Sequence, residues 1–283
     1  MREMHDERNR LLAPAKPSVA RVVDCSISGP ACELDLRMFV PTDTTAPLPA
    51  FIWFHGGGWV LSNIDACDTL CRIMANESGC LVIAVNYRLA PEHRFPAAVD
   101  DCLATVRWVF AHASELGVDR ARIAVGGDSS GGNLAAVVGQ LCQAPPEPQL
   151  VQQVLVYPLT DIAGSFPSMD EYADGYLLTR GALQWFYGQY LNDEREQTDP
   201  RASPLRAADV SRVAPALIVT AECDPVRDEG KAYADKLRAA GVPTKYVCYP
   251  GMVHPFLSFG KVLDDAHAAL ELIAATLRTV AQR

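Results

Sequence analysis

Residues 122–132 read RIAVGGDSSGG, an apolar run that ends in Gly-x-Ser-x-Gly and continues into NLAAVVGQL. The run has the composition of a buried strand, and the residues after it have the apolar content of a helix. Ser129 would therefore stand on a tight strand-to-helix turn, which needs small neighbours such as Gly127 and Gly131. Glycine-rich turns also occur without catalysis, but the strand before this one and the helix after it favour Ser129 as a nucleophile.

On both sides of this turn, short apolar runs alternate with helical segments, which is the pattern of a mainly parallel sheet covered by helices. Nearly continuous apolar runs predict strands buried on both faces at residues 50–54, 80–85, 122–125, 151–157 and 216–220. A last strand is predicted at 245–249, and helices at 100–112, 133–142, 229–240 and 262–280. Residues 31–39 alternate partly between apolar and polar, which predicts an antiparallel opening strand. The predicted fold class is α/β.

Two segments depart from this alternation. Residues 1–12 are a short helical candidate followed by a proline-containing linker, and residues 161–205 insert aromatic and charged side chains between two predicted strands. Ligands of open α/β sheets bind at the carboxyl ends of the strands, so both segments are expected to cap that edge. We predict a single domain over residues 1–283, with cap elements at about 1–18 and 161–205.

The composition excludes several classes of partner. The 283 residues carry a net charge of −9, which argues against nucleic acid, and no basic run suggests an anionic membrane. No apolar run is long enough to cross a bilayer, and the charged N-terminus lacks the apolar core of a secretion signal. The nine cysteines are scattered and form no CxxC pair, which predicts free thiols in a reducing compartment. We expect a cytoplasmic protein with no metal and no cofactor.

A second glycine-rich stretch follows the strand predicted at residues 50–54. Residues 51–59 read FIWFHGGGW, which places three glycines directly after a buried strand. Attack on an ester leaves negative charge on the carbonyl oxygen, and each fixed main-chain donor aimed at it can contribute roughly 3–4 kcal/mol. The alternative is a merely flexible loop, which would need neither His55 nor Trp59 as flanking residues. We predict Gly57, Gly58 and Ser130 as the N–H donors of an oxyanion hole.

Five motifs taken together resemble a known family. They are HGGGW, YRLAPEHRFPAAVDD at 87–101, GDSSGG, DPVRDEG at 224–230 and the late His254. In this order they are similar to the hormone-sensitive-lipase-like esterases, bacterial family IV, from about Val40 to the C-terminus. The resemblance implies an α/β-hydrolase fold with a helical cap, and hydrolysis of short-to-medium-chain carboxylic esters without a cofactor. Ser130 stands where the GDSAG-type branch of this family usually has alanine.

A serine nucleophile needs a base, and the chain has six histidines to supply it. His254 follows the last predicted strand, which is where an α/β-hydrolase carries its base. The next residue, Pro255, replaces a glycine common in the family, and it would stiffen the loop without removing the imidazole. The other histidines are predicted to brace the glycine loop (His55), to be structural (His93), to lie in the N-terminal segment (His5) or to be exposed on helices (His112 and His267).

The acid should lie between Ser129 and His254 in the chain, at the carboxyl end of a strand. Asp224 directly follows the strand predicted at 216–220 and its short extension, so it is the predicted acid, with the task of orienting the imidazole. Asp161 ends an earlier strand and is the alternative. Asp228 and Glu229 lie one turn further on and are expected to make helix-start or loop contacts.

These residues predict a serine carboxylesterase that works through an acyl-enzyme. An amidase or arylformamidase could use the same triad, and a receptor of the same fold could bind a small molecule without catalysis. Such receptors have typically lost a triad member, whereas this chain retains all three. A long-chain lipase is disfavoured because no apolar lid is evident.

Substrate preference depends on the cap. Its N-terminal part is shorter than relatives usually carry, which predicts an open mouth and tolerance of bulky esters. The expected partner is a small-molecule ester, and a homodimer is possible because family members often pair through the last strand and closing helix.

Overall fold

The computed structural model describes residues 2–281, and an eight-stranded sheet runs through them. Its strands are β1 (Arg21–Ser28), β2 (Glu33–Val40), β3 (Leu48–Phe54), β4 (Leu81–Asn86), β5 (Val118–Asp128), β6 (Gln153–Val156), β7 (Ala216–Cys223) and β8 (Thr244–Val253). Their order across the sheet is β1-β2-β4-β3-β5-β6-β7-β8. The pairs β1–β2 and β2–β4 are antiparallel, and every other pair is parallel. The predicted mainly parallel sheet with antiparallel opening strands is confirmed.

Helices cover both faces of this sheet. They are α1 (Arg2–Leu12), α2 (Asp68–Ser78), α3 (Ala97–Ala111), α4 (Ser130–Leu141), α5 (Pro167–Glu171), α6 (Arg180–Tyr190), α7 (Arg227–Ala239) and α8 (Asp264–Ala281). Alternate side chains of β3 enter two separate hydrophobic clusters, Ile52 on the side of α3, α4 and α7, and Trp53 on the side of α2 and α8. Because both faces are buried, the central strands read as continuous apolar runs.

The boundaries of β5 differ from the prediction in a way that matters for Ser129. The strand continues to Asp128 instead of ending at Val125, because Gly126 and Gly127 belong to it. A side chain at Gly126 would come within 2.5 Å of the ring of Phe51, so close packing across the sheet explains this glycine. The predicted end was wrong because the glycines were interpreted as a turn.

Helix α2 and strand β1 were not delimited from the sequence. In α2 the buried residues Cys71, Met74, Ala75 and Ser78 recur with helical spacing, and Gly79 ends the helix with a φ of 74°. This helical spacing is present in the sequence, but the polar residues between the buried positions obscure it. In contrast, β1 is an edge strand with mostly exposed or half-buried residues, so it carries little apolar pattern.

The insertion at 161–205 folds into α5, α6 and two short 3-10 helices, Glu194–Thr198 and Pro204–Arg206. Main-chain hydrogen bonds join it to the loop after β6 and to the segment before α3: Leu205 N–H donates to Thr160 O (2.8 Å), and Phe95 N–H donates to Tyr190 O (2.8 Å). Residues 1, 282 and 283 of the predicted single domain lie outside the described residues, and its division into body and cap stays a prediction. None of the helices in residues 2–281 has the length and apolar character needed to span a membrane.

Candidate active site

Ser129 occupies a strained position directly after β5. Its φ is 56° and its ψ is −120°, a backbone conformation that a non-glycine residue rarely adopts. Its N–H donates to Val156 O (2.8 Å) on the neighbouring strand β6, and its own carbonyl accepts from Asn133 N–H (3.0 Å) in α4. These contacts hold the chain in a sharp bend that presents the Ser129 hydroxyl above the strand ends.

Gly127 and Gly131 flank the bend because neighbouring main chain comes close to it. A Cβ atom at Gly131 would collide with the carbonyl of Phe54, and one at Gly127 would collide with Gly131 and with the same Phe54 carbonyl. Since these neighbours are backbone atoms, they cannot move aside as a flexible side chain could. The small residues in Gly-x-Ser-x-Gly are therefore a packing requirement of this turn.

The structure brings the three predicted triad side chains together. His254 Nε2 lies 2.8 Å from Ser129 Oγ, and His254 Nδ1 lies 2.8 Å from Asp224 Oδ2. All three are buried, with Asp224 fully so. A carboxylate at Asp224 accepts the Nδ1–H, and this leaves Nε2 free to accept the proton of the Ser129 hydroxyl.

Two strand ends position the acid and the base. Asp224 follows β7, and its Oδ1 accepts the N–H of Val226 (3.0 Å), which fixes the carboxylate. His254 directly follows β8, which continues to Val253 and not only to the predicted Tyr249. Pro250 is tolerated within β8 because the strand lies at the sheet edge, where a register irregularity opposes it.

The other acidic candidates lie away from the imidazole. Asp161 forms an ion pair with Arg206 (2.6 Å), and Asp228 accepts from Ser168 N–H (3.0 Å). Glu229 is buried and accepts from Thr160 N–H (2.7 Å), and burial raises the pKa of its carboxyl well above the ordinary value. None of the three forms a hydrogen bond or ion pair with His254 within residues 2–281, and Asp228 is also paired with Arg227 of α7 (2.8 Å).

The oxyanion loop adopts conformations that suit glycine. Gly57 and Gly58 have φ values of 117° and 61°, and a side chain at Gly57 would collide with the carbonyl of Leu61. Gly56 N–H donates to Asp128 Oδ1 (2.9 Å) and is therefore occupied. The N–H groups of Gly57, Gly58 and Ser130 make no hydrogen bond within residues 2–281, so these three donors remain available beside Ser129.

His55 and Trp59 brace this loop from either end. His55 Nδ1 donates to Gly56 O (2.8 Å), the Tyr87 hydroxyl donates to His55 O (2.7 Å), and the two rings stack at 4.4 Å. Burial lowers the pKa of His55 to about 4, so its imidazole is neutral near pH 7. Trp59 is fully buried and stacks on Tyr190 of α6 at 4.2 Å, which ties the loop to the insertion.

Two further predictions about histidines and charges can be compared with the structure. His267 is exposed as predicted, but His112 is half-buried and follows α3, with Nδ1 at 2.9 Å from Trp108 O. The predicted exposure of His112 was wrong because it covers the end of α3 by stacking on Trp108. In the charged stretch 88–101, Arg88 forms an ion pair with the fully buried Asp101 (2.7 Å).

Asp128 accepts Gly56 N–H and also lines the cavity beside Ser129. Burial raises the pKa of its carboxyl from 3.8 to about 6, against the opposing effect of the Gly56 hydrogen bond. A raised carboxyl pKa means that the folded state holds the proton more tightly than the unfolded state does. Its ionisation therefore lowers stability as pH rises from about 4 through 6, and the cost is complete above that range.

We expect Asp128→Asn to raise the melting temperature more at pH 8 than at pH 5. The amide keeps an oxygen for Gly56 N–H but carries no charge, so it removes the cost of ionising Asp128 in the folded protein. This cost is about 1 kcal/mol larger at pH 8 than at pH 5, which corresponds to about 2 °C in melting temperature. Thermal unfolding at both pH values measures this difference. Asp119→Asn is the control, because the Ala121 N–H and Arg122 hold the pKa of Asp119 below its ordinary value. Equal shifts for Asp128→Asn at both pH values would contradict the assignment.

A cavity of about 260 Å³ opens from Ser129 and His254. Its apolar wall includes residues that the sequence analysis did not assign to the site: Leu61, Leu70, Ile73, Leu177, Leu178, Phe186, Leu257 and Leu270. They come from α2, the insertion, α8 and the loops between them. α1 also contributes His5, Arg8 and Asn9. Apolar residues of this kind leave no motif in the sequence, because nothing in their spacing separates a cavity wall from a core.

Comparisons with known proteins agree with this geometry. A family model described as the alpha/beta hydrolase fold matches residues 51–258. Among curated proteins, the chain is similar to ethyl acetate hydrolase from Pseudomonas putida, with 42% identity over 250 residues that cover 87% of this chain and 78% of that protein. It is also similar to the carboxylic ester hydrolase LipN from Mycobacterium tuberculosis, with 43% identity over 91% of this chain and 70% of that protein.

Solved structures of esterases are similar over nearly the whole chain. EstE1, a thermophilic carboxylesterase cloned from a metagenomic library, superposes with a TM-score of 0.96 at 42% identity and covers 100% of this chain and 97% of its own. The esterase of Pyrobaculum calidifontis superposes with a TM-score of 0.94 at 40% identity, covering 99% of this chain and 92% of its own. The family resemblance indicated by the motifs is confirmed.

Proposed function

The chain belongs to the α/β-hydrolase fold family, and from this membership we propose that it is a serine-dependent hydrolase of short-to-medium-chain carboxylic esters. The observation that carries the proposal is the continuous hydrogen-bonded line from Ser129 Oγ through His254 to Asp224, with both distances 2.8 Å. The names of the relatives, which include carboxylesterases, an arylesterase and an ethyl acetate hydrolase, support the same reaction class.

The first half of the reaction forms an acyl-enzyme. Ser129 Oγ attacks the ester carbonyl while His254 Nε2 takes the hydroxyl proton, and the carbonyl oxygen becomes an oxyanion. The free N–H groups of Gly57, Gly58 and Ser130 stabilise this charge without reorganising, since their loop and turn are already braced. The C–O bond of the ester then breaks, and the alcohol leaves with the proton from His254.

In the second half, water replaces the alcohol. His254 takes a proton from the water as it attacks the acyl carbonyl, and the acid leaves when Ser129 recovers its proton. Asp224 keeps the imidazole in one tautomer and stabilises its cationic form throughout. No step requires a metal or an organic cofactor, and no cluster of metal-ligating side chains occurs within residues 2–281.

The size and lining of the cavity support small substrates. Ligand pockets for drug-sized molecules are typically about 300–1,000 Å³, so a cavity of about 260 Å³ suits a short or medium acyl chain. Phe186 stands over Gly58 and narrows the space near the oxyanion loop. The tolerance of bulky esters inferred from the short N-terminal segment stays a prediction, as do the cytoplasmic location and the homodimer.

A matched pair of substrates tests ester hydrolysis against amide hydrolysis. We expect kcat/KM for p-nitrophenyl butyrate to exceed that for the corresponding p-nitroanilide by at least about 100-fold. An amine is a poor leaving group that must be protonated, and His254 is the one general acid that the described site offers for this step. Steady-state assays with both substrates measure this ratio. Comparable rates would favour the amidase alternative, and binding without turnover of either substrate would favour the receptor.

A further inference from the structure

Arg8 places a cation on the wall of the catalytic cavity. It lies on α1, is half-buried and lines the same cavity as Ser129 and His254. A guanidinium has five N–H donors. One of them, on Nη2, donates to Asn9 Oδ1 (3.2 Å), and no carboxylate in residues 2–281 forms an ion pair with Arg8. The Nε atom is buried with no hydrogen-bond partner.

The lack of a carboxylate partner sets Arg8 apart from two other arginines, Arg2 and Arg206. Arg2, on the same helix, forms a two-pronged ion pair with Glu92 (2.7 and 2.9 Å), and Arg206 does the same with Asp161 (2.6 and 3.1 Å). Arg8 has only the Asn9 hydrogen bond and the face of Phe259, whose centroid lies 5.9 Å from its guanidinium carbon. Burial without a compensating anion lowers the pKa of Arg8, although a guanidinium remains charged at neutral pH.

The helix that carries Arg8 is held at both ends. Arg2 Nε donates to Val60 O (2.7 Å) beside the oxyanion loop, and Lys261 N–H donates to Leu12 O (3.0 Å) near α8. Between these points, Asn63 donates to Asp6 (3.1 Å). Because these contacts fix α1, the fold places the Arg8 backbone at the edge of the cavity that its side chain lines.

No acidic residue that lines the cavity within residues 2–281 forms an ion pair with this cation. Asp128 is the one acidic residue that lines the cavity within the described chain, and it is engaged with Gly56 N–H. His5, one helical turn before Arg8, has its pKa lowered by burial and by the Arg8 charge. Asp6 is paired with Asn63 and His5. The cavity therefore joins apolar walls to a single cation with unused donors, which is the chemistry that binds a carboxylate.

We propose that the substrates of this enzyme are esters that carry a second, free carboxylate, which Arg8 binds while Ser129 attacks the ester carbonyl. This proposal rests on the proposed ester hydrolysis and names its substrate class. The carboxylate takes up the unused Nη donors, and the apolar walls contact the carbons between the two groups. Hydrolysis adds water across the ester bond and releases an alcohol and an acid, one of which retains the second carboxylate.

Matched charged and neutral esters test this proposal on both sides of the scissile bond. On the acyl side, monoethyl succinate, glutarate and adipate are compared with ethyl butyrate, valerate and hexanoate in a pH-stat. On the alcohol side, meta-acetoxybenzoate is compared with phenyl acetate. In at least one pair we expect the wild-type kcat/KM for the charged ester to equal or exceed that for the neutral one. In that pair we expect Arg8→Gln to lower the charged-to-neutral ratio by about 10-fold or more, as loss of a hydrogen bond to a charged group implies.

Two variants act as controls on the same helix. Arg10→Gln removes an exposed cation from α1 and should leave the ratio within about twofold of wild type, while Arg8→Lys keeps the charge and should retain part of the preference. Rejection of every charged ester by the wild-type protein would overturn the proposal without any variant. So would an equal effect of Arg8→Gln on both members of each pair. Turnover of the neutral esters in either case would leave the proposed ester hydrolysis intact.

Discussion

Ser129→Ala is expected to lower kcat on p-nitrophenyl butyrate by a factor on the order of 10⁴ or more while leaving the fold intact. In the proposed mechanism the hydroxyl oxygen forms the acyl-enzyme, and no other hydroxyl within residues 2–281 hydrogen-bonds to His254 Nε2. The oxyanion donors and the cavity would remain, so a weak residual rate over water is expected. Steady-state assay together with thermal unfolding separates lost chemistry from lost structure.

Ser130→Ala is the matched control for this variant. Ser130 carries the neighbouring hydroxyl but contributes only its main-chain N–H to the mechanism, which alanine also has. This variant should therefore keep at least about a tenth of the wild-type kcat. If Ser129→Ala retains near-wild-type turnover, or if Ser130→Ala loses as much as Ser129→Ala, the assignment of the nucleophile is wrong.

Asp224→Asn is expected to lower kcat by about 10³–10⁴-fold. The amide nitrogen of asparagine can donate to His254 Nδ1, which would place the imidazole proton on Nε2, where it cannot accept the proton of Ser129. The side chain is fully buried and is held by Val226 N–H, so the volume and position should change little. The loss should appear in kcat with a nearly unchanged melting temperature.

Asp161→Asn tests the alternative acid with the same chemical change. Asp161 is paired with Arg206 and makes no contact with His254, so its loss should lower stability and leave kcat within a few-fold of wild type. Adding Asp224→Asn to Ser129→Ala should cost little more than Ser129→Ala alone, because residues that act as one unit are not additive. A larger kcat loss from Asp161→Asn than from Asp224→Asn would reverse the two roles.

The fold could be predicted because its central strands obey a simple rule. Strands buried on both faces must be apolar throughout, so β3, β4, β6 and β7 were visible as runs of hydrophobic residues. The elements that escaped prediction lie where this rule weakens. β1 is a half-exposed edge strand, and in α2 the polar residues between the buried positions obscure the helical pattern of apolar residues.

The candidate site divides in the same way. Ser129 and the glycines of the oxyanion loop could be named because each function needs a backbone that only certain residues tolerate at one place in the chain. The cavity wall could not be named. Leu70, Ile73 and Phe186 are ordinary apolar residues, and only the packing of α2 and the insertion against the strand ends turns them toward Ser129.

By itself, the sequence determined the sheet, the bend at Ser129 and the glycine loop, because these depend on local conformation and on burial patterns along the chain. Only the tertiary structure decided that Asp224 rather than Asp161 contacts His254. Asp224 directly follows β7, whereas Asp161, predicted to end a strand, lies in the loop after β6, and a linear motif does not encode which acid points at the imidazole. The tertiary structure also decided that Arg8 faces the cavity. The N-terminal helix is far from Ser129 in sequence, and only its docking against the oxyanion loop and the segment before α8 brings that charge to the wall of the catalytic cavity.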